Sequence, residues 1–208
     1  MTRGRFITLE GGEGVGKSTQ IRALAAAIEA RGVTVVATRE PGGSTGAEAI
    51  RGLLMEGSDD RWDARSEALL FAAARADHVA RTIRPALDRG AWVLCDRFVD
   101  SSRAYQGGGG GITDAELLML HGFGSLGLLP DRTFLLTLGA DEAARRLSIR
   151  DAGGADRMGS KSADYQARLA ARFAEMAASE PDRWRVIDAG APVETVTAAM
   201  MAELEPWL

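Results

Sequence analysis

The run Gly11-Gly12-Glu13-Gly14-Val15-Gly16-Lys17-Ser18-Thr19 fits the phosphate-loop pattern G-x-x-x-x-G-K-[ST] from Gly11 to Ser18. Glycines there let backbone N–H groups turn inward around phosphate oxygens, and a helix starting behind them adds partial positive charge. Lys17 is placed to reach the β- and γ-phosphates of a nucleoside triphosphate, and the Ser18 hydroxyl to ligate Mg²⁺. A Gly-rich turn matching by chance is the alternative, and the flanks argue against it. Arg5-Phe6-Ile7-Thr8-Leu9 reads as a short apolar strand before the loop, and Ile21, Leu24, Ala25 and Ile28 recur at helical spacing after it.

A second phosphate-site element is expected beside such a loop: an acid closing an apolar strand, able to hold Mg²⁺ directly or through water. Ala91-Trp92-Val93-Leu94-Cys95 followed by Asp96-Arg97 supplies it. Ser18, Asp96 and Glu13 are the candidate metal ligands. The loop itself has one cation, Lys17, and one acid, Glu13. Phosphoryl transfer is catalysed by positioning and by neutralising charge on the transferred group, so arginines must come from elsewhere. Arg97 is one source. Arg150 and Arg157 are another, in a glycine- and charge-rich stretch, Asp151-Ala152-Gly153-Gly154-Ala155-Asp156-Arg157, with the composition of a mobile lid over 150–160. A closing lid also excludes water, which favours a kinase over a hydrolase. The alternative for these arginines, and for Arg145 and Arg146, is a solvated helix face.

Several elements must hold these groups. A helix after the loop runs to about Arg31. Strands are predicted over Val33–Ala37, Ala91–Cys95, Phe134–Leu138 and Arg185–Asp188, helices over about Gly46–Glu56, Ala64–Arg89, Thr113–Gly122 with Thr113 as N-cap, from near Ala140, over Ala163–Ser179 and Val193–Leu204. Five strands alternating with helices make an α/β, three-layer P-loop NTPase fold: a five-stranded parallel sheet with helices on both faces and a mobile lid, in one domain spanning 1–208. Ligands of such sheets bind beyond the carboxyl ends of the strands, which puts Arg39 and Glu40 on the rim with the loop. Phe71 and Arg75 lie four apart on one helix face, and spacing alone favours a core aromatic beside a solvated charge. Gly107 to Gly111 read as a flexible loop near the site, or a plain surface linker. His78 and His121 carry no functional signal and read as structural.

The composition is that of an ordinary soluble globular protein: 208 residues, 46% hydrophobic and 26% charged, with a net charge of −4. That charge argues against coating nucleic acid or an anionic membrane. A single cysteine, Cys95, excludes an intrachain disulfide and fits a reducing cytosol. The N-terminus enters the first strand directly, and no apolar run approaches the roughly 20 residues that span a bilayer.

Beyond the phosphate loop, the chain carries Thr38-Arg39-Glu40-Pro41-Gly42-Gly43, Leu70-Phe71-Ala72-Ala73-Ala74-Arg75, Asp96-Arg97-Phe98, Asp100-Ser101-Ser102-Arg103-Ala104-Tyr105-Gln106-Gly107 and Asp156-Arg157. Over essentially its whole length it resembles the bacterial thymidylate (dTMP) kinases. The resemblance implies ATP-dependent conversion of dTMP to dTDP on the route to dTTP, with Mg²⁺, in a cytoplasmic homodimer. It implies that Gly11 to Thr19 bind ATP and that Lys17, Arg97, Arg150 and Arg157 are catalytic. Phe71 would stack on thymine, Arg75 would bond its carbonyl edge, and Ser101, Ser102 and Gln106 would lie at the acceptor. Tyr105 would crowd the sugar 2′ position, Arg51 and Arg97 would hold the acceptor's phosphate, and Glu40 would sit near sugar and phosphate. The bland reading of Phe71 and Arg75 is thereby displaced. Two departures stand out: Gly110 where the family commonly has an arginine, and Gly159-Ser160-Lys161 after Met158 where it often has acids. The competing readings are a kinase for another nucleoside monophosphate or a deoxynucleoside, and a P-loop switch or partitioning ATPase.

Overall fold

A computed structural model describes residues 3–58, 60–108, 111–150 and 163–208, with the side chains of 140, 147–150 and 163 left aside. The strands are β1 (Phe6–Glu10), β2 (Val35–Arg39), β3 (Trp92–Asp96), β4 (Arg132–Thr137) and β5 (Trp184–Asp188). They form one five-stranded sheet in the order β2-β3-β1-β4-β5, and every pairing is parallel. The predicted α/β architecture holds.

Alternation along the strands explains the layers. Ile7 and Leu9 of β1 point to one face, where they pack with Leu94, Phe134 and Leu136 against α1 (Lys17–Glu29), through Leu24 and Ile28. Phe6 points to the other face, against Val79, Ile83, Val93 and Phe98. Period two puts Thr8 and Glu10 on Phe6's side of the sheet. Both are fully buried polar residues on a central strand.

Helices cover the two faces. After β2 come α2 (Thr45–Met55) and α3 (Ala64–His78), which runs through a π-turn (Val79–Ile83) into α4 (Arg84–Asp88). After β3 comes α5 (Val99–Ser102), continued by a second π-turn (Arg103–Gly107), then α6 (Asp114–Ser125). α7 (Ala140–Arg150) and α8 (Ala163–Ser179) follow β4, and α9 (Val193–Leu204) follows β5. Thr113 caps α6 as expected: its Oγ1 accepts from the Glu116 N–H at 3.3 Å, and Glu116 Oε2 accepts from the Thr113 N–H at 2.9 Å.

Element boundaries shift where pairing overrides local propensity. β2 starts two places later than predicted and runs on to Arg39, because Val35 pairs with Trp92 and Arg39 with Asp96. Val33 and Thr34 stay outside it despite their β-branched side chains. The glycine run does not break helical backbone at its first member. Gly107 closes the second π-turn, packed so closely on α6 that a Cβ there would lie 3.3 Å from Leu117 Cδ1. α6 also runs on to Ser125, beyond its predicted end. The lid over 150–160, Arg157, Gly110 and Gly159-Ser160-Lys161 fall outside the described residues. Arg150 closes α7, and its side chain lies outside them too.

Candidate active site

Parallel pairing aligns the carboxyl ends of β1, β2 and β3, since Leu9 and Arg39 both sit opposite Asp96. The loop after β1, the Arg39-Glu40 corner after β2 and Asp96-Arg97 at the end of β3 therefore meet at one edge. In the loop, Gly11 has φ 134° and a Cβ there would lie 2.5 Å from the Leu136 carbonyl oxygen, so only glycine fits. Gly16, at φ 94°, leads into α1, which has neither a side-chain cap nor an acid in its first turn. The N–H groups at that end stay available to an anion.

Lys17 is buried and donates to the Gly11 and Gly12 carbonyl oxygens at 3.2 and 2.7 Å. Burial, then the nearby Arg97, pull its pKa down to about 8. Ser18 Oγ donates to Asp96 Oδ2 at 2.7 Å, so two predicted metal ligands already face each other. Their oxygens are the hard donors that Mg²⁺ takes, and a pair suffices for an ion that keeps waters and substrate phosphates. No cluster of three or more His, Cys, Asp or Glu poised for a metal occurs among the described residues. The third predicted ligand, Glu13, accepts from Arg97 Nη2 at 2.5 Å.

Arg97 is the hinge of the arrangement. It is non-glycine yet sits at φ 70°, a strained left-handed turn. Its N–H donates to Leu9 O at 3.0 Å and the next N–H, of Phe98, to Glu10 Oε1 at 2.8 Å, so β1 fixes the turn at two successive residues. The guanidinium then donates to Gly11 O at 3.1 Å and Ser101 Oγ at 3.2 Å, with its carbon 5.1 Å over the Tyr105 ring.

On the far side, α3 and α5 build a second wall. Arg75 donates through Nε to Glu40 Oε2 at 2.8 Å and through Nη2 to Ser102 Oγ at 2.7 Å. Gln106 Nε2 donates to Glu67 at 3.0 Å, and Arg51 Nη1 donates to Pro41 O at 2.8 Å. A cavity of about 640 Å³ joins the two walls. Glu13 to Thr19 line it, as do Asp96 and every predicted acceptor residue: Glu40, Arg51, Phe71, Arg75, Arg97, Ser101, Ser102, Tyr105 and Gln106. Gly11 and Gly12 do not line it; they hold Lys17 through their carbonyls.

A sequence model of the family described as thymidylate kinase matches residues 9–200. The chain belongs to the thymidylate kinase family. It is 59% identical over 201 residues to a thymidylate kinase of Rhizorhabdus wittichii, covering 97% of each chain, and 52% identical over 200 residues to one of Caulobacter vibrioides, covering 96% of this chain and 95% of the other. A crystal structure of thymidylate kinase from Ehrlichia chaffeensis superposes with a TM-score of 0.79 at 32% identity, over 97% of this chain and 99% of that one.

Some residues of this thymidylate kinase site were not marked by sequence reasoning. Glu10 is fully buried, accepts from Phe98 N and, at 2.6 Å, from Ser101 Oγ. Burial first, then the Asp100 carboxylate, raise its pKa to about 7. The only signal was a glutamate ending an apolar strand. His78, read as structural, is joined to the Glu40 carboxylate, with Nδ1 3.1 Å from Oε1. Asp100, also fully buried, holds both Arg183 and Arg103. Arg146, for which a solvated face was one of two readings, lines the cavity, while Arg145 is exposed and pairs with Glu142.

Proposed function

We propose that this chain transfers the γ-phosphoryl group of ATP to dTMP, giving dTDP and ADP by in-line displacement. The carrying observation is Arg97. Its one guanidinium touches the phosphate loop at Gly11 and Glu13 and the acceptor wall at Ser101, so it stands where the two substrates' phosphates would meet. A phosphoryl group in flight carries its charge on equatorial oxygens, and a cation held at that junction stabilises it most in the transition state.

The other roles follow from position. Phe71 offers a half-buried ring for the base, and Arg75, with Ser102 and Gln106 beside it, offers donors to a pyrimidine carbonyl edge. Tyr105, buried beneath the Arg97 guanidinium and packed on Phe173, would limit room at the sugar. Arg51 and Arg97 take the acceptor's phosphate, and Glu40 orients Arg75. Lys17 turns from the loop carbonyls to the donor phosphates. Mg²⁺ at Ser18 and Asp96 would neutralise part of the charge on those phosphates. Glu13, taken up by Arg97, would serve that arginine more than the metal. Arg150 and Arg157 would bring further positive charge with the lid.

The reading extends to a cytoplasmic homodimer. Leu69 on α3 and Met119 and Phe123 on α6 are large apolar side chains left exposed, Phe123 by 90%, as a second copy would require. Among the described residues, no helix is long and apolar enough to cross a membrane.

Release of ADP, followed with a coupled assay across dTMP, dUMP, UMP, CMP, AMP and GMP, tests the acceptor. dTMP should give the highest kcat/KM and purine nucleotides almost none. Equal turnover of a purine nucleotide would refute the assignment and return the chain to the broader class of nucleotide kinases.

A further inference from the structure

His78 ends α3 at the point where the helix passes into its π-turn, and its imidazole is fully buried. Helical spacing puts it in line with the acceptor wall: Phe71, Arg75 and His78 stand at i, i+4 and i+7. Nε2 lies 2.7 Å from Thr38 Oγ1 on β2, and Nδ1 lies 3.1 Å from Glu40 Oε1 just beyond that strand. The direction of the bond to Glu40 follows from chemistry. A carboxylate only accepts, so Nδ1 carries the hydrogen shared with Glu40. On the other side of the ring, Nε2 shares a hydrogen bond with the Thr38 hydroxyl. The other oxygen of Glu40 accepts from Arg75 Nε at 2.8 Å, and Arg75 Nη2 donates onward to Ser102.

Four buried groups on three segments thus form one chain: His78, Glu40, Arg75 and Ser102 are at most 7% exposed. The space around the imidazole is tight. A Cβ on Gly43 would lie 2.4 Å from both His78 Nε2 and Thr38 Oγ1. The Gly43 backbone therefore closes off the space on the Nε2 side of the ring. Without His78, Glu40 would hold Arg75 through one oxygen while the other was left buried and unpaired, free to pull the guanidinium into a different setting.

We propose that His78 is a positioning residue for the acceptor: by tying Glu40 to Thr38 it locks the guanidinium of Arg75 at the angle that meets the carbonyl edge of a pyrimidine. The proposal rests on the reading above that Arg75 and Phe71 receive the base. It separates acceptor recognition from donor binding, because the relay ends at Ser102 and does not include the phosphate loop.

The test is initial-rate kinetics of wild type, His78→Leu, His78→Asn and Thr38→Val, varying dTMP at saturating MgATP and MgATP at saturating dTMP, with melting curves for each. His78→Leu should raise the KM for dTMP about tenfold or more, while kcat stays within about threefold and the KM for ATP within about twofold. The Asn amide can donate from near the place of Nδ1, so His78→Asn should recover most of the loss. Thr38→Val, which removes only the outer bond, should show a smaller rise in the same parameter, and it carries the test with His78→Asn if the Leu variant does not fold. An unchanged KM for dTMP in folded variants would overturn the role of His78 alone. So would a parallel change in kcat and both KM values, or an Asn variant no better than Leu. A wild-type enzyme that does not turn over dTMP would overturn the functional reading as well.

Discussion

Lys17 spends its hydrogen bonds on its own loop, on the carbonyl oxygens of Gly11 and Gly12. Burial and Arg97 hold its pKa near 8, against an ordinary value of 10.5. Between those two values the folded protein carries fewer protons at Lys17 than the unfolded chain. This group's contribution to stability therefore rises with pH across that window, and below it the buried charge costs stability. A donor triphosphate reverses the balance by placing anionic oxygens beside the ammonium. Binding at about pH 8.5 should draw in up to about three quarters of a proton per site, and at about pH 6.5 almost none through this group. Titration calorimetry in buffers of different ionisation enthalpy reads this directly. Absence of proton uptake at the higher pH would show that Lys17 is charged in the free enzyme.

The residue scale also shows what a linear reading reaches. Gly11 to Ser18 and Asp96-Arg97 were legible because each is a contiguous pattern tied to a single chemistry. Glu10 and His78 were not. Glu10 works through Phe98, 88 positions on, and His78 through Glu40, 38 positions back. Neither belongs to a local motif, and a buried histidine is usually a packing residue. The one local hint at His78 was its helical phase with Phe71 and Arg75.

At the scale of elements, hydrophobic period and caps carried most of the information. α8 was legible to the residue because its stripe of Leu169, Phe173 and Met176 packs on Trp184 and Leu135. Strand ends were less legible, because partners in the sheet set them: β2 reaches Arg39 since Asp96 stands opposite. The helical turn through Gly107 was hidden by composition. Arg103, inside that turn, is paired with Asp100, Asp114 and Glu180, and these long-range pairs hold backbone that local propensity would release. The exposed face of α6 makes its own prediction. Replacing Phe123, 90% exposed, with Glu should convert a dimer to a monomer in sedimentation velocity while leaving the fold intact. A wild-type protein that sediments as a monomer at micromolar concentration would remove the dimer from the account.

At the scale of the molecule, the fold works as a jig. Its central strand β1 ends in Glu10 and the phosphate loop, its neighbour β3 ends in Asp96 and Arg97, and β2 ends beside Glu40. Parallel register brings all three ends to one cavity, with the loop after β1 lining one side and residues of α3 and α5 lining the other. Burial protects this arrangement, since Glu10, Arg75, His78 and Asp100 are each at least nine-tenths withdrawn from solvent. A site so built should pass a phosphoryl group between two bound substrates and lose little to water.

The measurement that tests this most directly is product stoichiometry: MgATP is supplied with and without dTMP, and ADP and dTDP are quantified together by ion-exchange chromatography. The account predicts one dTDP for each ADP, and a rate of ADP formation at least about 100-fold lower when dTMP is omitted. ADP formed as fast without dTMP, or with no dTDP to match it, would contradict it.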